Sequence, residues 1–312
     1  MKRFAVSFPA NRPFDVVGFG LNSVDFMTVL PVFPAPNSKM EMIDFSPQGG
    51  GQVASAMVAC ARLGLKTKYV GKVGGDTWGE FALGSLRDEA VDVSDVTIEK
   101  GVKNQSAIVL VTQACGERTI LWRRDKRLLY REGELSKKAI CSGKILHVDG
   151  HDIEATLRAV CWAQAEGIPT VMDADRIDEG TGELIRHIDF LITSSTFPIR
   201  FTGIDDLPAA MAALQSRSGG FVAATLGSDG AVAMVESGPV YYGGVAVEAV
   251  DTTGAGDVFH GAFIYGLLKG WTIREVFTFA NTVAGLKCAR LGGRGAPTLQ
   301  EVEAYLGHLP PP

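Results

Sequence analysis

The sequence predicts an α/β protein with a doubly wound, mainly parallel sheet that carries helices on both faces. The chain has 312 residues, 46% of them hydrophobic, which is enough for one large domain with a sizeable core. Short apolar runs typical of buried strands alternate with stretches typical of helices. This alternation indicates a parallel sheet covered on both sides. No internal repeat or linker divides the chain, so we expect a single domain over residues 1–312.

The first elements follow in chain order. Residues 14–20 (FDVVGFG) are typical of a buried strand, and residues 67–72 are typical of another. Residues 53–63 are small and apolar and end at Gly64, which is a helix-stop signal. Residues 77–89 predict an amphipathic helix.

The second half of the chain continues the pattern. Strand-like runs alternate with helical stretches: strands at 145–148, 170–172, 190–193 and 221–225, and helices at 153–166, about 182–187 and 206–215. Two capping boxes, Thr272-x-x-Glu275 and Thr298-x-x-Glu301, predict the starts of the last two helices.

Two regions interrupt the alternation, at about residues 26–46 and 104–122. Both carry strand-like patterns without an intervening helix, so they predict a small antiparallel sheet beside the main body. This sheet could be a lid that excludes water from a transferring group, or a pair of surface hairpins. The sequence leaves both interpretations open.

Composition excludes several classes of protein. The formal net charge of −5 and the absence of a basic excess argue against a nucleic-acid binder. The five cysteines are scattered and form no C-x-x-C motif, which argues against a disulfide framework or a zinc site and favours a reducing compartment. No stretch approaches the ~18 apolar residues of a membrane span. We therefore expect a cytoplasmic protein that contacts neither nucleic acid nor membrane.

The most informative segment is DTTGAGDVFHGAF, residues 251–263. Residues 245–250 are predicted as a strand, and a helical apolar stripe begins at Val258, so Gly254, Ala255 and Gly256 should lie at a strand-to-helix turn. Small residues let a ligand approach the backbone there, and the amides of the first helical turn have no intrahelical partners. These amides and the helix dipole favour a bound anion.

Asp257 follows directly in the first turn of this predicted helix. A carboxylate beside an anion site suits phosphoryl transfer, because it can accept the proton of the attacking hydroxyl while backbone dipoles stabilise the transferring group. The alternative is that Asp257 merely complements the helix dipole. On the first interpretation, Asp257 is the catalytic base, and Gly254, Ala255 and Gly256 form the anion hole.

Two long motifs resemble the signatures of the ribokinase-type (PfkB) carbohydrate kinases. Residues 251–263 resemble the C-terminal signature, and residues 49–64 (GGGQVASAMVACARLG) with 70–76 resemble the N-terminal one. Residues 20–25 and 279–288 are most similar to ketohexokinase-like sugar kinases. The resemblance covers nearly the whole chain. It implies a ribokinase-like fold with a β-lid, phosphorylation of a sugar hydroxyl, and a homodimer that forms through the lid.

The resemblance also implies binding residues and cofactors. ATP and Mg²⁺ are expected, with K⁺ as a further cation in some members. The sugar would contact the turn before the first long helix and the lid, at Asp25, Gly50, Gly51, Gln52, Ser55 and Arg118. The nucleotide would contact a glycine loop and a later helix, at Thr225, Gly227, Ser228, Gly230 and Asn281. Asp251 and Thr253 would contribute to the monovalent-cation site.

Each of these positions also has a structural interpretation. Asp25 could be a turn carboxylate, the glycines could serve helix–sheet packing, and residues 228–230 could form a hairpin turn. Arg118 could be an exposed hairpin arginine, and Asn281 a buried helical asparagine. The Asn-x-x-Glu element that the family ties to magnesium is missing, because residues 194–197 read SSTF.

Other functions remain open at this point. A nucleoside kinase that acts on adenosine-like substrates is the first alternative, and a catalytically silent sugar- or nucleotide-binding regulator is the second. The presence of Asp257 beside the glycine turn favours an enzyme. Among sugars, a ketohexose is the first expectation, but the sequence identifies neither the sugar nor the hydroxyl.

Overall fold

The computed structural model describes residues 2–114 and 118–307. Residues 115–117, within the predicted lid region, lie outside this description. In chain order, the strands are β1 (Phe14–Phe19), β2 (Ser23–Leu30), β3 (Asp44–Gly50), β4 (Thr67–Val70), β5 (Lys72–Gly74), β6 (Thr97–Glu99), β7 (Ser106–Thr112), β8 (Arg118–Arg123), β9 (Gly143–Asp149), β10 (Thr170–Ala174), β11 (Phe190–Ser194), β12 (Phe221–Thr225), β13 (Ala231–Val235) and β14 (Gly238–Tyr242).

The helices lie between the strands and after them. They are α1 (Gln52–Arg62), α2 (Thr77–Arg87), α3 (Lys137–Ile140), α4 (Ile153–Ala165), α5 (Thr181–Leu184), α6 (Thr196–Thr202), α7 (Leu207–Arg217), α8 (Ala255–Leu268), α9 (Ile273–Cys288) and α10 (Leu299–Gly307), with 3₁₀ turns at Lys126–Leu128, Ile185–His187 and Gly227–Asp229.

The main sheet has eight strands in the order β14-β13-β12-β11-β10-β9-β1-β4. Its neighbours are parallel from β4 to β12, and β13 and β14 continue the edge in antiparallel fashion. From β1 the chain adds β4 on one side and later β9 on the other, so the winding reverses between β1 and β9. Ligands of doubly wound sheets bind at this kind of switch point, outside the carboxyl ends of the strands.

Two apolar clusters cover the two faces of this sheet. One contains α1, α8 and α9, and the other contains α3 to α7. Helices α1 and α8 pack closely because α8 carries Gly261, whose missing side chain would lie 2.7 Å from the methyl group of Ala59. The predicted doubly wound sheet with helices on both faces is confirmed.

The predicted lid is a four-stranded sheet in the order β3-β2-β7-β8. Its outer pairs are antiparallel as expected, and its central pair, β2 with β7, is parallel. One face packs inward through Met27 and Val109, both 0% exposed, with Leu291 beside them. Ile108 and Leu121 pair directly on the opposite face and are 46% and 56% exposed.

One predicted strand is wrong. Residues 245–250 form no strand and pair with none of the described strands, so the glycine turn follows a loop. The amides of Val250 and Asp251 donate instead to the carbonyl of Cys288, the last residue of α9. The capping box of Thr272 and Glu275 is present and opens α9, which ends at Cys288. Among the described residues, no helix is long and apolar enough to cross a membrane.

Candidate active site

The glycine turn caps α8 beside the switch point of the main sheet. Gly254 is the N-cap and has a left-handed backbone with φ 76°. A side chain at Gly254 would collide with the backbone of Gly293, so both the conformation and the close packing require glycine. This arrangement fixes the direction of the first turn of α8.

Three amides of this turn are free to bind an anion. The Ala255 amide donates to the Thr252 carbonyl at 3.3 Å. The amides of Gly254, Gly256 and Asp257 have no backbone acceptor within the described part of the chain. Of the predicted anion-hole residues, Gly254 and Gly256 therefore keep a free amide, and Asp257 adds another at the positive end of a 14-residue helix.

Asp257 is half-buried in this turn. Desolvation and the carboxylate of Asp173 raise the pKa of Asp257, while His260 and Arg118 oppose the rise. A carboxyl group with raised proton affinity is a better proton acceptor near neutral pH. The local electrostatics therefore suit the role that the sequence predicts for Asp257.

Asp173 is a site residue that the sequence analysis missed. It follows the predicted run 170–172 in β10, is 7% exposed and lies at the same sheet edge as Asp149, the last residue of β9. Burial, Asp175 and Asp149 raise the pKa of Asp173. An acid at the end of a buried strand was the available signal, but its proximity to α8 could not be seen in the sequence.

The side chain of Gln52 connects Asp173 to His151. It hydrogen-bonds to the Asp173 carboxyl group, and its Oε1 accepts from Nε2 of His151 at 2.7 Å. Gln52, a predicted sugar ligand, is therefore held in place from both sides at the start of α1. His260 lies on the other side of Asp173, with Nδ1 3.7 Å from Asp173 Oδ2 and 2.7 Å from the Gly256 carbonyl, to which it donates.

The predicted sugar end is built from the start of β2 and the end of β3. Asp25 is 8% exposed and accepts a hydrogen bond from Ser23 at 2.8 Å. Gly50 pairs with Ser23, two residues before Asp25, and a side chain at Gly50 would overlap the Asp25 carboxylate. Gly51, with φ 93°, then opens α1. Glycine at position 50 thus gives Asp25 the space it occupies.

A buried guanidinium, that of Arg294, holds this end together. Arg294 is 9% exposed and donates to Asn22 Oδ1 at 2.7 Å and to the Gly50 carbonyl at 2.8 Å. Burial is the largest cause that raises the pKa of Asp25, and the charge of Arg294 acts against it. Arg294 was also missed, since a short segment, GGRGA, gives no sign that its arginine points inward.

Arg118 links the lid to the glycine turn. This residue begins β8, and its guanidinium donates to Thr252 Oγ1 at 2.7 Å. Arg118 was predicted near the substrate, and the hydrogen bond brings it to the loop that precedes the anion hole. The lid strands thus lie over the start of α8.

The predicted nucleotide residues fall at two places. Thr225 ends β12, and Gly227, Ser228 and Gly230 form its tight connection to β13. The two strands are antiparallel neighbours, so this segment is a hairpin turn, as the structural interpretation expected. Both amide hydrogens of Asn281 are committed to the carbonyls of Tyr242 and Gly243 at 2.9 Å. Asn281 therefore tethers the end of β14, and only its oxygen remains to contact a ligand.

Neither Ser55 nor the segment at the missing Asn-x-x-Glu element offers a free polar group to a ligand. The Ser55 hydroxyl is 0% exposed and has no hydrogen-bond partner in the described stretches. At the missing Asn-x-x-Glu element, Ser194 and Thr196 hydrogen-bond to each other at 3.1 Å. Within the described residues, no group of three or more His, Cys, Asp or Glu side chains is arranged to hold a metal ion.

Asp251 and Thr253, the predicted monovalent-cation residues, are buried and bonded within the protein. Asp251 is 0% exposed, and its Oδ1 accepts from the amide of Thr253 at 2.9 Å and from its hydroxyl at 2.7 Å. Asp251 Oδ2 accepts from the Gly292 amide at 2.7 Å. A lysine that the sequence analysis did not consider, Lys287, donates to the Asp251 carbonyl at 2.8 Å.

Comparison with known proteins agrees with this geometry. The sequence pattern of the pfkB family of carbohydrate kinases matches residues 15–299. The chain is 26% identical to the 5-dehydro-2-deoxygluconokinase of Shouchella clausii, over 96% of this chain and 98% of that protein. It is 24% identical to the ribokinase of Haemophilus influenzae, over 93% and 97% of the two chains.

Solved structures show the same fold. A protein of Agrobacterium tumefaciens that is provisionally named a ribokinase superposes with a TM-score of 0.88 at 27% identity, over 94% of this chain and 97% of that one. The ribokinase of Arabidopsis thaliana, solved with ribose and ATP, gives a TM-score of 0.81 at 22% identity, over 94% and 98%. This chain therefore belongs to the pfkB family and is an ATP-dependent carbohydrate kinase.

Proposed function

We propose that this kinase transfers the terminal phosphoryl group of ATP to a hydroxyl of a small keto sugar, with Asp257 as the general base. One observation carries the proposal: a carboxyl group with raised proton affinity lies in the same turn as the uncommitted backbone amides of Gly254, Gly256 and Asp257. The first substrate we expect is a ketohexose. A keto sugar acid is the next, because several relatives are named 5-dehydro-2-deoxygluconokinase.

The reaction assigns a distinct task to each part of the turn. Asp257 accepts the proton as the sugar oxygen forms its bond to the terminal phosphorus of ATP, and the bond to the ADP oxygen breaks. The amides of Gly256 and Asp257 face the charge that builds up on the transferring group, with the dipole of α8 behind them. Gly254 and Ala255 hold the turn in the shape that presents these amides.

The sugar would lie between the lid and the start of α1. Asp25 is proposed to accept hydrogen bonds from sugar hydroxyls, with Gly50 and Gly51 allowing close approach to the backbone. Gln52 is proposed as a second polar contact, held by His151 and Asp173. Arg118 would close the site from the lid. The enclosed position of the Ser55 hydroxyl supports a packing role more than direct contact with the sugar.

ATP would lie along the β12–β13 connection, at Thr225, Gly227, Ser228 and Gly230, with Asn281 Oδ1 toward the base. Magnesium would neutralise the nucleotide phosphates, and such ions are commonly held by one or two carboxylates together with the phosphates.

A homodimer through the lid is part of the proposal. The outer lid face exposes Ile108 and Leu121 as a cross-strand pair on β7 and β8, and Phe45 is 52% exposed on the edge strand β3 of the same sheet. Contiguous exposed apolar groups on a sheet favour association. A second copy of the same lid is the partner that would cover this face.

The test is direct measurement of ADP release with a panel of ketohexoses, keto sugar acids, ribose and nucleosides. With the best substrate, Asp257→Asn should lower kcat by about 10²–10⁴-fold, the usual contribution of a general base. Calorimetric binding of ATP should be retained. Asp205→Asn, at an exposed aspartate between α6 and α7, is the matched control.

Activity of Asp257→Asn within about threefold of the wild type would refute the role of the base. Activity confined to nucleosides would replace the sugar by an adenosine-like substrate. Ligand binding without turnover across the whole panel would indicate the silent regulator.

A further inference from the structure

Lys287 lies one residue before the end of α9 and is completely buried, with an exposure of 0%. Its ammonium nitrogen is 2.8 Å from the Asp251 carbonyl oxygen, to which it donates, and 3.8 Å from Asp251 Oδ2. The Asp251 side chain is itself 0% exposed. The ammonium group of Lys287 is therefore enclosed against the residue to which the family resemblance assigns a monovalent cation, and burial lowers the pKa of Lys287.

The other bonds of Asp251 leave little capacity for a free ion. Oδ1 is occupied by the amide and hydroxyl of Thr253, and Oδ2 by the amide of Gly292. A metal cation needs several oxygen atoms that are free to turn toward it, whereas these oxygens already accept hydrogen bonds. The expected K⁺ site therefore does not fit the residues present.

The ammonium group has the same charge as K⁺ and comparable size, and α9 delivers it at a fixed position. The carbonyl of Cys288, the next residue, accepts the amides of Val250 and Asp251. The end of α9 thus holds residues 250–251 through two backbone hydrogen bonds and one hydrogen bond from the Lys287 ammonium group. Only two residues separate Asp251 from Gly254, the N-cap of the catalytic helix.

We propose that the Lys287 ammonium group is a built-in substitute for a monovalent cation, which holds the 251–254 loop in place and makes this kinase independent of K⁺. The inference rests on the proposed function for its catalytic consequence, but the ion replacement can be tested without it. Buried charges persist where they are paired, and Asp251 supplies the opposite charge. Lys287 acts through the loop and is a positioning residue.

The first test uses the unaltered protein. Initial rates are measured by chromatographic detection of ADP, so that no coupling enzyme adds a cation requirement, in potassium, sodium or choline chloride at equal ionic strength. Thermal midpoints are measured in the same salts. We expect equal rates and equal midpoints; stimulation by K⁺ of more than about threefold over both other salts would overturn the proposal. A thermal midpoint raised by K⁺ alone would overturn it equally.

The second test removes the ammonium group. Lys287→Ala opens space beside Asp251, so K⁺ should raise its thermal midpoint relative to choline. In choline its kcat should fall about 10²-fold, the order expected when catalytic groups are misplaced by about 1 Å, with partial recovery in K⁺. Lys138→Ala, at an exposed lysine of α3, is the control and should respond like the wild type.

If Lys287→Ala does not fold, Lys287→Met can replace it, because methionine preserves most of the side-chain volume. The rates and thermal midpoints of the wild type in the three salts still test whether the kinase is independent of K⁺. Wild-type rates in Lys287→Ala without K⁺ would refute the positioning role. If no sugar is phosphorylated at all, the proposed function fails, while the salt dependence of the two thermal midpoints still decides whether Lys287 replaces the ion.

Discussion

Replacing Asp173 by asparagine should move the acidic limb of the pH–rate profile to lower pH. Asp257 must be deprotonated to accept a proton, so kcat/KM falls as pH drops through the pKa of Asp257. Burial is the largest cause that raises this pKa, and the Asp173 carboxylate is the next. Asp173→Asn removes a negative charge without changing the shape of the side chain.

The size of the effect follows from the strength of such couplings. A neighbouring charge commonly moves the pKa of a carboxyl group by about one to three units. Burial also raises the pKa of Asp173, to about 8, so Asp173 carries only part of its charge where Asp257 titrates. We therefore expect the acidic limb to move down by up to about one pH unit, with a residual elevation that desolvation maintains. Arg118, His260, Asp25, Arg294 and Lys287 also interact electrostatically with Asp257. Of these, His260 lies 3.7 Å from the Asp173 carboxylate that the substitution removes.

The assay is kcat/KM for the best sugar between about pH 5 and pH 9 at constant ionic strength. Asp175→Asn is the matched control, because this exposed carboxylate raises the pKa of Asp173 but is not one of the main causes that shift the pKa of Asp257. An acidic limb that stays within about 0.3 pH units of the wild type in Asp173→Asn, or that moves equally in both variants, would refute the reasoning.

The pH dependence of folding stability provides an independent check that the pKa of Asp173 is raised. Burial raises the folded-state pKa of Asp173, so its favourable contribution to folding exists below the unfolded pKa and is lost as pH rises through the folded value. Asp173→Asn should therefore raise the thermal midpoint at alkaline pH and have little effect at acidic pH. The magnesium-free protein is used for this comparison, because a bound cation would offset the same charge.

Two further predictions concern the sugar end and the lid. Arg294→Met removes the donor to the Gly50 carbonyl and to Asn22 Oδ1, at a cost of about 1–3 kcal/mol for each buried group. The thermal midpoint should fall, and KM should rise more for the sugar than for ATP. An unchanged KM for the sugar would contradict the role of Arg294 in positioning Gly50. Leu121→Glu places a charge on the exposed lid face and should convert a dimer to a monomer, as measured by light scattering. The free energy of unfolding should change by less than about 0.5 kcal/mol. A wild-type protein that is already monomeric at high concentration would exclude this interface.

Hydrophobic periodicity was sufficient to predict most of the main sheet. The run 221–225 is β12 over the same residues, and the capping box of Thr272 and Glu275 opens α9 as expected. Both succeed because they depend on local facts: burial of a short segment, or a side chain that bonds to its own helix terminus.

The failures concern partners that are distant in sequence. The residue pattern of 245–250 resembles that of a strand. Such a pattern indicates only that one side of the segment is more buried than the other, and it cannot show whether another strand lies alongside. Asp173, Arg294 and Lys287 each reach the site from an element that no motif marks. Their roles depend on how β10, the loop before α10 and the end of α9 pack against α8 and β3, which is tertiary information.

These missed residues explain how the site keeps a basic carboxylate. Three cations lie around Asp257, yet among the described residues none forms a close ion pair with it. Arg118 donates to Thr252, Arg294 to neutral acceptors, and Lys287 to the Asp251 carbonyl. A direct ion pair would lower the pKa of Asp257 and weaken it as a base. The cations instead hold the loops around Asp257, so positive charge positions these loops while Asp257 keeps the raised proton affinity that its proposed role as base requires.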